Sequence, residues 1–329
     1  MKLASLKAGG PDGTLVLVSR DLTRAVAVPD IAPTMRTALD TWETAAPALI
    51  LLSVQLEAGE CARAFSLDPA VLTAPLPRAG QFFDGSAYLN HIELARRARG
   101  DSLPGNLEDD PLMYQGASEP LAGCRDAIAV DDDKSWGVDF EAETAVITGP
   151  VGMGADLTEA ASSIRLVMLL NDVSMRRLIP AELEKGFGFI HGKPPSSFSP
   201  VAVTADELGA AWDGERLHGK LISTLNGKVH GQPDCGVEMQ FGFPRLISYA
   251  AKTRALGAGT IVGSGTVSNA DRATGSSCIL ERRMIEKIEN ADGRSPFMMA
   301  GDHIDLTFSD RQTGANPFGG ISQTVAIAP

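Results

Sequence analysis

Trp136-Gly137-Val138-Asp139-Phe140-Glu141-Ala142-Glu143-Thr144-Ala145-Val146-Ile147 is the stretch on which the fold turns. Acids at every second position, with apolar residues between and after them, carry the two-residue period of a β-strand. On a strand Asp139, Glu141 and Glu143 share one face, and Phe140 and Ala142 the other. Like charges so placed repel, and burial raises their pKa values further. A hard divalent cation with oxygen ligands relieves both costs. A solvated acidic face is the alternative, and this stretch alone leaves the two open.

On either side the pattern stays β-rich. Gly137–Thr148 alternates, Ile164–Leu170 reads as a buried strand or the start of a helix, and Lys220–Leu225 is a strand followed by Asn226-Gly227, the strongest short hairpin signal. Thr260–Val262 and Ile304–Phe308 complete the strands of this part. Helices are expected over Tyr88–Arg97, over Leu246–Ala255 and after Asp172. Residues 1–76 read as a small separate unit, with strands at Thr14–Ser19 and Ala25–Val28 and helical pieces at Met35–Trp42 and Ala62–Phe65. Pro75–Gly80 leads into the body, residues 77–329, and Asp101–Pro120 forms a long acidic loop of the kind that is more often functional than idle. The fold class is mostly β (α+β), with few helices.

The 329 residues hold 29 Lys and Arg against 41 Asp and Glu, a net charge of −12. That balance argues against a nucleic-acid footprint and against docking on an anionic membrane. The four cysteines are widely spaced with no C-x-x-C, so no disulfide framework or structural zinc is expected, and a reducing cytoplasm is the default. The longest nearly apolar runs, Ala45–Leu52 and Ile164–Leu170, are far short of the roughly 20 residues that span a bilayer. A soluble protein is expected. Gly257-Ala-Gly259 and Gly263-Ser-Gly265 fail the dinucleotide fingerprint, and no P-loop, nucleophile elbow or H-E-x-x-H is present.

Other acids stand apart along the chain. Asp172 follows the Ile164–Leu170 run, where an Asp commonly caps a helix, and Asp84 sits in Phe82-Phe83-Asp84-Gly85, where an ordinary turn would suffice. His91 follows Asp84 by seven residues on a helical pattern. Singly, none of these decides anything.

Together, Asp84-(x6)-His91, Pro111-Leu-Met-Tyr114, Glu141-x-Glu143, Asn171-Asp172-Val-Ser174-x-Arg176, Lys193 and Gly263-Ser-Gly265-Thr266 resemble the fumarylacetoacetate hydrolase family. The likeness runs from about residue 77 to the C-terminus. It implies a mixed β-sandwich roll behind a small β-rich N-terminal domain. It further implies Mg2+, Ca2+ or Mn2+ held by Asp84, Glu141, Glu143 and Asp172, the hard-ligand set such ions take. His91 paired with Glu281 would activate water, Arg176 and Lys193 would stabilise developing negative charge, and Tyr114 and Thr266 would line the substrate. Arg97 or Arg99 would grip the substrate acid.

The implied activity is hydrolysis of a C–C bond in a fumarylacetoacetate- or acylpyruvate-like diketo acid, in aromatic-compound catabolism, by a cytoplasmic homodimer. A decarboxylase, isomerase or hydratase of 2-oxo acids on the same fold is the first rival. A non-catalytic metal- or dicarboxylate-binding protein is the second. The chain departs from the hydrolase pattern at Ile179, where a Gln is expected, so that one oxyanion donor would come from elsewhere, with Arg177 a candidate.

Overall fold

The computed structural model describes residues 1–99, 106–289 and 294–328. The first strands are β1 (Lys2–Leu6), β2 (Thr14–Val18), β3 (Arg24–Ala27) and β4 (Phe65–Ser66), with α1 (Met35–Asp40) and α2 (Trp42–Glu57) between the last two. Then come β5 (Gln81–Gly85), α3 (Leu89–Arg99), β6 (Met113–Gln115), β7 (Ile128–Val130), β8 (Val138–Asp139) and β9 (Ala142–Thr148). Next are α4 (Leu157–Ser163), β10 (Ile164–Asn171), β11 (Ser174–Met175), α5 (Ile179–Lys185), β12 (Ser197–Phe198) and β13 (Ala202–Val203). The chain closes with β14 (Gly219–Leu225), β15 (Lys228–Gly231), α6 (Phe243–Ala250), β16 (Thr260–Gly263), α7 (Ile279–Ile288), β17 (His303–Asp310) and β18 (Ile321–Ile327).

One large sheet runs in the order β4-β3-β2-β1-β13-β10-β9-β16-β5-β6, with β12 paired to β10. A second sheet runs β15-β14-β17-β18-β7, and β8 pairs with β11. The N-terminal strands join the large sheet through β1 and β13 (Lys2 opposite Val203), so one hydrogen-bonded ladder crosses residues 1–76 and the body. β9 is buried along its whole length because both sheet faces are covered. Val146 faces the core shared with Phe140, Leu221, Leu306 and Phe308, whereas Ala145 and Ile147 face Leu39, Leu49, Leu166 and Phe198. Such two-sided burial explains the near-continuous apolar run of Ile164–Leu170 on the neighbouring β10.

Most expected elements form where the patterns put them. Asn226 and Gly227 take φ of 49° and 75°, the left-handed pair that a two-residue hairpin between β14 and β15 requires. Three readings are corrected. Ala62–Phe65 is turn and the start of β4, not helix, because Ala25 pairs with Phe65. The chain after Asp172 first pairs as β11 with β8 and turns helical only at Ile179. Asp172 therefore caps no helix. Of the loop Asp101–Pro120, residues 101–105 lie outside the described residues, while Met113–Gln115 adds to the sheet beside β5.

Candidate active site

The register of four neighbouring strands builds the site. Gly263 of β16 lies opposite Asp84 of β5 on one side and Ala145 of β9 on the other, while Leu170 of β10 lies opposite Glu143. Gly263 has no side chain to interpose between its neighbours. A Cβ there would come within 2.3 Å of Asp84 Oδ1 and 3.0 Å of Leu170 Cδ2. One oxygen each of Asp84, Glu143 and Asp172 accordingly lie within 4.8 Å of one another, all three residues buried. Gly263→Ala should weaken Mg2+ binding by about 10–100-fold by displacing Asp84, with the fold retained. Calorimetric titration checks this, and unchanged affinity would show that Asp84 takes no part.

Burial pushes the Asp84 carboxyl well above its usual range, Asp172 adding to the effect and Lys193 opposing it. Glu143 is raised the same way, by burial first and then by Asp84 and Asp172. Neither Glu143 oxygen has a hydrogen-bond donor among the described residues. Two buried carboxyls driven toward protonation, one of them orphaned, in an all-oxygen cluster are what a hard divalent cation satisfies. The residues present fit such an ion.

Glu141 faces cations instead. Arg176 donates from Nη2 to Glu141 Oε1 (2.6 Å) and from Nε to Asp139 Oδ2 (2.8 Å), and Thr266 Oγ1 donates to Glu141 Oε1 (2.8 Å). The Lys193 ammonium bonds both Glu141 Oε2 and Asp172 Oδ2, tying the two acidic groups together. Burial alone would raise Glu141, but the Arg176 and Lys193 charges outweigh it and hold the carboxylate well below its usual range. For Lys193 burial likewise works against the charge, and Asp172 and Glu141 reverse it, so the ammonium stays protonated. Tyr114 Oη and Ser196 Oγ each donate to Asp172 at 2.7 Å. Arg176→Met leaves Asp139 as a buried carboxylate without its cation and Glu141 with Lys193 alone, and should cost about 3–5 kcal/mol in urea unfolding. A loss near zero would mean that water reaches both.

The His91–Glu281 pair is made by two helices. His91 lies on α3 and Glu281 in the first turn of α7, with His91 Nδ1 and Glu281 Oε2 2.8 Å apart. Asp139 positions α7: its carboxylate accepts from the backbone N–H of Ile279 (2.8 Å) and of Leu280 (2.9 Å), donors that the first turn of a helix leaves unpaired. Cys278 caps the same turn through its sulfur, 3.3 Å from the Glu281 N–H. The side chain of His91 is 17% exposed and that of Glu281 1%, so the imidazole is the member open to a ligand. A His91 nitrogen, a Glu141 oxygen and the Cys278 sulfur lie within 4.8 Å of one another, which places the pair beside Glu141.

The structure thus brings together Asp84, His91, Tyr114, Glu141, Glu143, Asp172, Arg176, Lys193, Thr266 and Glu281. It does not bring Arg97 in: that residue is exposed on α3, and the Arg99 side chain lies outside the described residues. Arg177 is not an oxyanion donor. It points outward, donating to the Lys134 carbonyl and lying over the Phe297 ring (5.9 Å to the centroid). Asp139 does not join Glu143 on one strand face, because the strand breaks between Asp139 and Ala142. Residue reading missed the positioning role of Asp139 and the Ser196 hydroxyl. The regular acid spacing signalled the first, and nothing local signalled the second.

The sequence matches two family models, fumarylacetoacetase N-terminal domain 2 over residues 1–78 and fumarylacetoacetate hydrolase C-terminal over residues 81–326. This chain belongs to the fumarylacetoacetate hydrolase family of enzymes. It is similar to oxaloacetate tautomerase YisK of Bacillus subtilis, 24% identical over 260 residues, 78% of this chain and 75% of that one. It is also similar to 2,4-didehydro-3-deoxy-L-rhamnonate hydrolase of a Sphingomonas species, 29% identical over 163 residues, 48% of this chain and 53% of that protein. The fold is that of maleylpyruvate hydrolase from Sphingobium in complex with manganese(II) and pyruvate, with a TM-score of 0.65, 15% identity and full coverage of both chains. No described helix is long and apolar enough to cross a membrane, and all four cysteines are free.

Proposed function

We propose that this protein is a metal-dependent hydrolase that cleaves the C–C bond of a 1,3-diketo acid, with Asp84, Glu143 and Asp172 as the ligands of Mg2+ or a similar hard ion and Glu141, which Arg176 and Lys193 hold, as the fourth acid beside them. The observation that carries the reading is the His91–Glu281 pair, 2.8 Å apart with only the imidazole open to a ligand. A Mn2+ and pyruvate complex of a maleylpyruvate hydrolase on this fold supports the ion and the oxo-acid class. A homodimer, a cytoplasmic location and a place in aromatic-compound breakdown extend the same proposal, as does a division into domains at residues 76 and 77.

A divalent ion held by these carboxylates would supply Lewis acidity to the carbonyl under attack. Everything else falls to side chains. Glu281 holds the proton on Nδ1 of His91, which leaves Nε2 free to take one from water. The hydroxide adds to the acyl carbonyl carbon, the C–C bond breaks, and its electron pair passes to the departing 2-oxo acid as an enolate. Protonation of that enolate carbon completes the balance: diketo acid plus water yields a carboxylic acid and a 2-oxo acid. The permanently charged Lys193 and Arg176 offset the negative charge of the oxyanion and enolate. Tyr114 and Thr266 line the same space.

A panel of acylpyruvates tests this. The Mg2+-loaded enzyme should abolish the enol absorbance and release pyruvate in equal amount. One observation favours a second reading, enol–keto tautomerisation of a 2-oxo dicarboxylic acid: the relative named oxaloacetate tautomerase aligns over most of this chain. Enol loss without pyruvate or free acid would move the assignment to that reaction. If the protein binds Mg2+ and transforms neither substrate class, a binding protein is left.

A further inference from the structure

The segment Gly186-Phe187-Gly188-Phe189-Ile190-His191-Gly192-Lys193 leads from α5 into the active site and forms neither helix nor strand. Phe187 and Ile190 are 100% and 78% exposed, so burial of apolar side chains leaves most of its path unset. Its backbone is held instead by Glu182 of α5. That side chain is buried, and its carboxylate accepts three successive N–H groups: Ile190 (3.0 Å) and His191 (2.8 Å) on Oε1, and Gly192 (2.9 Å) on Oε2. Burial alone would raise the Glu182 carboxyl, but the N–H donors outweigh it and hold the group below its usual range. The Gly192 carbonyl accepts from the Met175 N–H (2.8 Å), so the residue before Lys193 is tied through both of its backbone groups. A Cβ on Gly192 would lie 2.6 Å from Ile179 Cγ1 and 2.9 Å from Glu182 Oε2, so glycine is what lets the carboxylate come this close. The next side chain is that of Lys193, whose ammonium bonds Glu141 and Asp172.

We propose that Glu182 is a positioning residue for Lys193: by holding three backbone N–H groups it fixes the segment that delivers the ammonium to Glu141 and Asp172. The proposal rests on the hydrolase reading for what Lys193 does, while the clamp itself stands apart from it. A misplacement of about 1 Å at a reacting centre can cost about a hundredfold in rate, and the stem of a lysine is too flexible to correct for a backbone that wanders. In Glu182→Gln the amide oxygen still accepts from Ile190 and His191. The amide nitrogen then meets the Gly192 N–H donor to donor, which breaks the bond nearest Lys193. A carboxylate in the first turn of α5 also favours that helix, so the test has to separate position from stability.

The experiment is a double-mutant cycle on acetylpyruvate cleavage by the Mg2+-loaded enzyme. Glu182→Gln should lower kcat by about 10–100-fold and move KM by less than about threefold, because Lys193 meets charge that develops only in the transition state. In a Lys193→Met background the same substitution should change kcat by less than about twofold. Gly192→Ala, which reaches the clamp from its other side, should repeat the kcat loss. Equal losses in both backgrounds, or a rise in KM alone, overturn the proposal and leave Glu182 as a support of α5. Hydrogen exchange of the peptide covering residues 186–193, followed by mass spectrometry without substrate, keeps the clamp and the reaction separable and decides even where Lys193→Met does not fold. Exchange there should quicken by about tenfold or more in Glu182→Gln while β9 and β10 stay protected. If it does so and no acylpyruvate is cleaved by the wild type, the clamp on Lys193 stands and the hydrolase reading falls. If exchange is unchanged, Glu182 does not hold the segment and the proposal falls.

Discussion

His91→Ala should lower kcat for acylpyruvate cleavage by about 10²–10⁴-fold, the range that a positioned general base contributes. Mg2+ affinity should hardly change, because none of the clustered carboxylates of Asp84, Glu143 and Asp172 hydrogen-bonds to His91. Glu281→Gln should fall between wild type and this variant, since the amide keeps contact with Nδ1 but no longer offsets the charge on the imidazolium. Enolisation of oxaloacetate asks less of the base and should survive His91→Ala to a larger extent. Stopped-flow loss of enol absorbance, paired with a pyruvate assay, separates the two reactions. Cleavage persisting in His91→Ala at the wild-type rate would falsify the general-base assignment.

Glu143→Gln should have opposite effects on the metal-free and metal-loaded protein. Without an ion, the wild type buries an orphaned carboxyl beside Asp84 and Asp172. A neutral isostere removes that repulsion and should raise the unfolding temperature of the chelator-treated protein. At about a hundred times its Kd, Mg2+ should stabilise the wild type by about 2.7 kcal/mol, and the variant should lose most of that gain. The pH profile carries the same sign. Asp84 and Glu143 are both raised above their ordinary values of 3.8 and 4.5. Over the interval from those values to the raised ones the folded state holds more protons, so the metal-free protein loses stability as pH rises through it. Glu141, which is depressed, contributes the reverse: its stabilisation is complete above 4.5 and lost as pH falls below it. Differential scanning calorimetry on chelated protein, from about pH 5 to about pH 8, follows the first trend. A metal-free wild type that becomes steadily more stable over that range would place the charges of Asp84 and Glu143 elsewhere.

Several parts of the fold are legible in the residues because their signals are local. Asn226-Gly227 dictates a hairpin since few other dipeptides accept two successive left-handed conformations. The Ile164–Leu170 run suits a buried strand or the start of a helix, and pairing with β9 decides for the strand. Ala62–Phe65 misleads because short helical propensity yields to pairing with Ala25 across the sheet edge. Asp172 resembles a helix cap for the same reason: its neighbours, not its own identity, decide that β11 comes before α5.

By itself the chain's sequence determined the family, the mixed β architecture and which acids are candidates for an ion site, since each rests on residue type and short-range order. Only the tertiary structure decided how those acids divide. Asp84, Glu143 and Asp172 converge because four neighbouring strands are in register and Gly263 leaves space between them. Glu141 pairs with Arg176 and Lys193, and Asp139 is turned to the N-terminus of α7, where it sets the Glu281 that faces His91. Those contacts join residues up to 190 positions apart. Spacing along a chain carries no information about such distances; strand register and helix packing do.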